Sequence, residues 1–159
     1  MIGEVHAEGW RVAYADVFEA DWLSTAVAER RARWVDLLPR LLAAPGHHVL
    51  VAESADRVIG FVHAGPSEDR DLGEVFALYV HPEWWGRGAS APLLASGIRH
   101  LRDDGVDTIG LWTLAVPGRA RSFYDKVGLV FEGKTKERDF GEGREHGLVF
   151  YSAPSPEAE

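Results

Sequence analysis

The chain has 159 residues, with 25 acidic against 17 basic side chains and a formal net charge of -8. That balance excludes a nonspecific nucleic-acid binder, so an anionic ligand has to be captured by local groups rather than by the overall field. The absence of cysteine excludes disulfides, thiolate metal sites and a thiol nucleophile. A content of 46% hydrophobic residues then suits one domain over 1–152 that needs no covalent staple.

Residues 1–6 lack the basic and apolar blocks of an export signal, and no apolar run reaches membrane-spanning length. The expectation is a soluble, cytoplasmic protein without membrane or nucleic-acid partners. Residues 5–18 mix apolar and polar positions in a way that suits a short helix. A stronger helix is predicted over 26–44, where Trp34, Leu37, Leu38, Leu41 and Leu42 recur at three- and four-residue spacing, with Pro39 kinking or splitting it. The aromatic residues Trp10, Tyr14 and Trp34 belong either to the core or to the wall of an acceptor pocket.

The period then changes. Residues 47–53 and 57–64 are β-rich runs around Ser54-Ala55-Asp56, which reads as a hairpin, and a third strand over 73–80 completes an antiparallel meander. His47, His48 and His63 lie here, but two of them are adjacent and so on opposite strand faces, and no metal site is expected. The stretch Trp85-Gly86-Arg87-Gly88-Ala89-Ser90 opens a helix that runs to about Asp103 and ends at Asp104-Gly105. Residues 108–116 form the next strand, parallel to the third because a helical crossover delivers it that way. Pro117 is placed in the first turn of a helix that runs through Val127 and closes at Gly128. Two strands over 129–140 and 145–152 flank Gly141-Glu142-Gly143, and residues 153–159 read as a disordered tail.

The glycine stretch carries the first functional signal. A strand, a tight turn and a helix N-terminus let the amides of Gly86, Arg87, Gly88, Ala89 and Ser90 converge on an anion, and Arg87 adds a forked donor suited to phosphate. This stretch resembles the pyrophosphate-binding motif of the GCN5-related N-acetyltransferase (GNAT) superfamily, with Trp85 in place of the usual polar first residue and Ser90 in place of a small one. Arg119-Ala120-Arg121-Ser122-Phe123-Tyr124 through Gly128-Leu129 is similar to that family's second signature helix, with Pro117 where an asparagine is common.

The resemblance implies an α/β mixed sheet of the acyl-CoA N-acyltransferase fold: mostly antiparallel, with one splayed parallel strand pair and the usual first edge strand missing. It implies acetyl-CoA as cosubstrate without a metal, an amine acceptor and, from the free sheet edge, a homodimer. Direct transfer of acetyl to a primary amine needs a base, because such an amine is protonated at neutral pH. Glu74 matches the general base and Tyr124 the general acid of relatives. Leu78, Tyr79 and Val80 match the strand that pairs with pantetheine, with the Val80 amide as oxyanion donor. Arg119, Ala120 and Arg121 flank the same opening, the two arginines as phosphate partners. His63, Tyr79, Trp84 and Trp112 fall on the acceptor side, with His63 in reserve as a base. The alternative is a non-catalytic acyl-CoA-binding module, which the Trp85, Ser90 and Pro117 departures favour and the joint presence of Glu74 and Tyr124 disfavours.

Overall fold

Central strands buried on both faces organise this protein, whose computed structural model describes residues 1–156. Helices α1 (Ile2–Ala13), α2 (Ala20–Ala32) and α3 (Trp34–Ala43) precede strands β1 (His48–Ser54), β2 (Arg57–Pro66) and β3 (Leu72–Val80). A short 3-10 turn at Pro82–Trp84 leads to α4 (Ser90–Asp103), β4 (Thr108–Leu114), α5 (Arg119–Lys126), β5 (Val130–Asp139) and β6 (Glu145–Ser152). The strands form one six-stranded sheet in the order β1-β2-β3-β4-β6-β5. Every pairing is antiparallel except β3 with β4. The fold is therefore the mixed sheet that the sequence predicts.

Alternation along β2 shows how both faces are covered. Phe61 packs with Val5 and Trp34 beneath α1 and α3, while its neighbour Val62 packs with Leu93, Leu94 and Leu101 of α4. Tyr124 and Leu129 place α5 on the α4 face. On the other face, Trp10, Phe18, Leu23 and Val27 join Phe140, which ties the N-terminal helices to the β5–β6 hairpin. Arg144 reinforces that tie by donating to the carbonyl of Val17 at 2.8 Å.

Several boundaries differ from the sequence reading. The first helix ends at Ala13 rather than 18, because Tyr14 and Phe18 turn back onto Trp10. The helix predicted over 26–44 is two helices, and the break falls at Arg33 rather than at Pro39, which sits inside α3. The cause is that Leu23 and Val27 serve the aromatic cluster around Trp10, whereas Trp34, Leu37, Leu38 and Leu41 serve the core around Phe61, so the axis has to turn between them. β4 stops at Leu114, and Pro117 lies before the α5 N-cap, Gly118, rather than within the first turn. Of the segment 153–159, Ala153 donates to the Ile109 carbonyl at 2.9 Å and Pro154 accepts from Arg102, while residues 157–159 lie outside the described residues.

The parallel ladder is short: Leu72, Gly73 and Glu74 pair with Thr108, Ile109 and Gly110, and pairing then stops. Just beyond it, β3 carries an extra residue. Ala64 faces Val75 and His63 faces Ala77, so Phe76 is bulged out of the β2–β3 ladder. A bulge bends its strand and sharpens the twist, and here it turns β3 away from β4. Among the described residues no helix is long and apolar enough to cross a membrane.

Gly110 is the last residue of the ladder, and a Cβ there would stand 2.1 Å from Cζ of Phe150 and 2.7 Å from the Tyr151 carbonyl oxygen. Overpacking of this kind costs about 1–3 kcal/mol, which for a chain of this size is roughly 2–12 °C in Tm. Thermal unfolding of Gly110→Ala should show that loss; an unchanged Tm would contradict the close packing of β4 on β6.

Candidate active site

The divergence of β3 and β4 opens a cleft of about 790 Å³. Leu78, Tyr79 and Val80 form one wall, and Leu111, Trp112, Thr113 and Leu114 the other. His81 donates its backbone N–H to Ile59 of β2 at 2.8 Å. Since backbone groups alternate along a strand, the amides of Val80 and Leu78 point the other way, into the cleft. The carbonyl of Val80 also faces that side, where the Trp85 indole N–H donates to it at 2.8 Å. Trp85 thus pins the glycine turn to the end of β3.

Gly86 and Gly88 have φ of +74° and +84°, and a Cβ at either would meet nothing within 4 Å. It is the left-handed backbone, not crowding, that calls for glycine in the free protein. The turn leads into α4, whose N-cap Ala89 supplies no side-chain hydrogen bond and whose first turn holds no acid. Its leading N–H groups are therefore unpartnered and carry the positive end of the helix dipole. Gly86, Gly88, Ala89 and Ser90 line the cleft. Arg87 does not line it; its guanidinium lies over the Trp84 ring at 4.9 Å.

From α5, Arg119, Ala120 and Tyr124 reach the cleft, with Arg119 stacked over the Trp85 ring at 4.3 Å. Arg121 does not. It donates to the Ala115 carbonyl at 2.6 Å and to the Tyr151 hydroxyl at 3.3 Å, so its role is to hold α5 against β4 and β6. Tyr124 is held by its own helix end: Gly128, at φ +87°, lets Leu129 N–H donate to the Tyr124 carbonyl at 3.0 Å while Gly128 N–H donates to Asp125. Burial pushes the Tyr124 hydroxyl well above its ordinary pKa, with Tyr79 adding to the effect. The phenol is a neutral donor across the physiological range.

Glu74 stands at the vertex, the last paired residue before the strands part. It lines the cleft and accepts from the Ser67 hydroxyl at 3.3 Å. Burial raises its pKa above the ordinary carboxylate value, against the opposing pull of Lys136 and the Ser67 hydrogen bond. His63 lines the same cleft and shares a 3.1 Å hydrogen bond with His47. Burial, with His47 beside it, lowers the His63 pKa to about 4, so it is neutral at pH 7. His48 is turned away, toward Asp104 at 2.6 Å. Trp84 and Trp112 also line the cleft, as do Trp10, Tyr14 and Trp34 from the N-terminal helices, with the Trp10 indole donating to the Tyr79 hydroxyl at 2.9 Å.

The sequence reading missed Arg30, Arg33, Lys126, Lys136 and Arg138, all on the cleft. A signal for two of them was present. Lys136 and Arg138 alternate with Lys134 along β5 and so share one face, and only the tertiary fold shows that Lys136 and Arg138 reach the cleft.

A mixed sheet opened between its two parallel strands, with a glycine turn and an uncapped helix at the mouth of the opening, defines the acyl-CoA N-acyltransferase class of fold. Residues 8–129 match the acetyltransferase (GNAT) family, and the chain belongs to that family. It is 32% identical over 128 residues to a mycothiol acetyltransferase of Kocuria rhizophila, covering 78% of this chain and 37% of that protein. The chain thus spans well under half the length of the curated relatives it matches. Among solved structures it is similar to the PaiA N-acetyltransferase of Thermoplasma acidophilum in complex with coenzyme A, with a TM-score of 0.74 and 19% identity over 92% of this chain and 88% of that one. A ribosomal-protein-alanine N-acetyltransferase from Brucella melitensis gives 0.59 and 28% over 79% and 76%.

Trp85→Phe keeps an aromatic ring but removes the indole N–H, leaving the inward carbonyl of Val80 unpaired. An acceptor stranded in this way costs about 1–3 kcal/mol. Thermal unfolding should register a loss of this size, and a variant as stable as the parent would show that Trp85 is not the anchor of the turn.

Proposed function

We propose that the chain is an acetyl-CoA-dependent N-acetyltransferase that moves the acetyl group directly to a primary amine of a small molecule or of a protein N-terminus or lysine. The observation that carries this reading is that Glu74 and Tyr124 border the same opening as the Leu78 and Val80 amides. A passive acyl-CoA-binding module would need the amides but neither of those two groups.

In this proposal the amides of the glycine turn and the first turn of α4 hold the pyrophosphate, with Arg119 beside them. The pantetheine arm lies along β3 as an added strand, bonded to Leu78 and Val80. Glu74 takes the proton from the acceptor ammonium, directly or through a water. The freed nitrogen lone pair attacks the thioester carbonyl, whose oxygen gains charge against the Val80 N–H. The C–S bond then breaks, the departing CoA sulfur takes a proton from Tyr124, and the extra proton on the newly acetylated nitrogen passes to the Tyr124 oxygen, which leaves a neutral amide, CoA thiol and phenol. The raised Glu74 pKa supports the base role, because a carboxylate nearer neutrality is a better proton acceptor. We also propose a cytoplasmic homodimer. Its support is the outer edge of β1, which pairs with no other described strand and leaves Val51 42% exposed. Light scattering should then give twice the chain mass, and a monomer at micromolar concentration would refute the dimer.

Acetyl-CoA at a hundredfold excess over its Kd should stabilise the fold by about 2.7 kcal/mol, or roughly 5–11 °C in Tm. Gly88→Asp should abolish that shift, since it puts a carboxylate against the phosphate. With an acceptor that the wild type turns over, Glu74→Gln should lower turnover by about 10²–10⁴ at neutral pH with acetyl-CoA binding intact. Raising the pH should recover part of the rate, because more free amine becomes available. Tyr124→Phe should cost on the order of tenfold to a hundredfold. Full activity of Glu74→Gln across pH would move the base to water or His63. Loss of acetyl-CoA binding in Tyr124→Phe would make that tyrosine a wall of the site rather than an acid.

A further inference from the structure

The charged residues on the cleft run against the charge of the chain. Among the described residues Glu74 is the one acid that lines it, beside six cations, Arg30, Arg33, Arg119, Lys126, Lys136 and Arg138, in a protein of net charge -8. The six divide by sheet face. Arg119 and Lys126 belong to α5, on the face that carries α4 and the glycine turn. Arg30 and Arg33 come from the N-terminal helices and Arg138 from β5; Arg30 meets Trp10 and Arg138 meets Phe140, both of the cluster on the opposite face.

On that second face the cations close no ion pair among the described residues, although Glu29 acts on Arg30 and Arg33 from a distance and Glu74 on Lys136. Among the described residues, none of the ion pairs within 4.0 Å includes Arg30, Arg33, Lys136 or Arg138. Three of the four stand on ring faces instead: Arg30 lies 3.4 Å over Trp10, Lys136 4.1 Å over Trp112 and Arg138 4.7 Å over Phe140. Arg30 also has a buried Nε without a hydrogen-bond partner, although its Nη1 donates to the Ala26 carbonyl. A buried guanidinium N–H left unpaired is unfavourable. Like charges also crowd one another here. Burial lowers the Arg30 pKa to about 10 with Arg33 adding to it, and burial likewise lowers that of Arg33, with Arg138 adding. Arg30 and Arg33 remain protonated at pH 7, and the neighbouring His6, whose pKa is lowered to about 3, stays neutral. A cluster so arranged is complementary to an anion with several acceptor oxygens.

We propose that the amine acceptor carries an anionic group, a carboxylate or a phosphate, which Arg30, Arg33 and Arg138 receive while the amine is presented to Glu74. This rests on the reading of the cleft as an N-acetyltransferase site and gives it a substrate class: small zwitterionic amines rather than polycationic ones. The pyrophosphate of the cosubstrate does not fill the cluster, because the glycine turn lies on the other face of the sheet. Lys136, which acts on Glu74 and stands over Trp112, lies between the two ends of such an acceptor.

The test compares kcat/KM for O-phosphoethanolamine against ethanolamine and for glycine against glycinamide, in wild type and in Arg33→Gln/Arg138→Gln. Both residues are solvent-exposed as a whole, with only the Arg33 guanidinium partly covered by the cleft, so the fold should survive. The wild type should favour the anionic member of at least one pair by tenfold or more. Which pair responds tells phosphate from carboxylate, and the double variant should lose the preference while keeping its thermal shift with acetyl-CoA. Equal or reversed preference, or a preference that survives the double variant, would overturn the proposal. A second measurement is independent of turnover. In protein saturated with CoA, titration of inorganic phosphate at constant ionic strength should shift the indole N–H resonance of Trp10 saturably, and the double variant should abolish the response. Absence of that shift in the wild type would overturn the anion site. Its presence in a protein that acetylates none of the four amines would leave the anion site standing and count against the N-acetyltransferase reading.

Discussion

The structure depends on where one parallel ladder stops. β3 and β4 are held together for three residue pairs and then part, and the bulge at Phe76 lies just past the last pair. Because β3 stays paired with β2 on its other side up to Val80, with only a one-residue register shift at the bulge, the bend does not unravel the sheet; it transfers the unpaired backbone to the gap. Unpaired strand amides are costly when buried and useful when a ligand can complete them. Val80 has half of that problem solved internally, since its carbonyl accepts from Trp85. Its N–H is left for a ligand, and the same tryptophan fixes the glycine turn beside it.

Electrostatics then separate the two faces that meet at the gap. On the α4–α5 face the positive charge is largely backbone: an uncapped helix and a turn with two left-handed glycines. On the other face it is carried by side chains supported on aromatic rings. At the vertex stands Glu74, whose pKa is raised by burial, and the buried phenol of Tyr124 lines the same cleft. The overall charge of -8 has little bearing on any of this, because each ligand is met by a few local groups.

Much of this was legible in the sequence, and for definite reasons. Gly86 and Gly88 mark the turn because left-handed backbone selects glycine, and the crossover through α4 forces β4 parallel to β3. Glu74 and Tyr124 were found by their places in motifs, and both line the cleft. What could not be read is what depends on partners far apart in the chain. Arg121 looks like a phosphate ligand until Ala115 and Tyr151 are seen to occupy it. Pro39 looks like a helix breaker, yet the break falls at Arg33, where the chain passes from one aromatic cluster to the other. Lys136 and Arg138 look like the solvated face of an edge strand, because every residue of β5 is exposed; their part in the cleft appears only once β5 is laid beside β6 and the N-terminal helices close over the hairpin.

The most direct measurement of the central claim is amide hydrogen exchange along β3 with and without acetyl-CoA. Tyr79 and His81, whose backbone groups face β2, should be protected in both states. Leu78 and Val80, facing the gap, should exchange quickly in the free protein and slow markedly when acetyl-CoA binds, together with Gly88 and Ala89. Binding that leaves Leu78 and Val80 as exposed as before would contradict the account, because the opening between β3 and β4 would then not be where the cosubstrate lies.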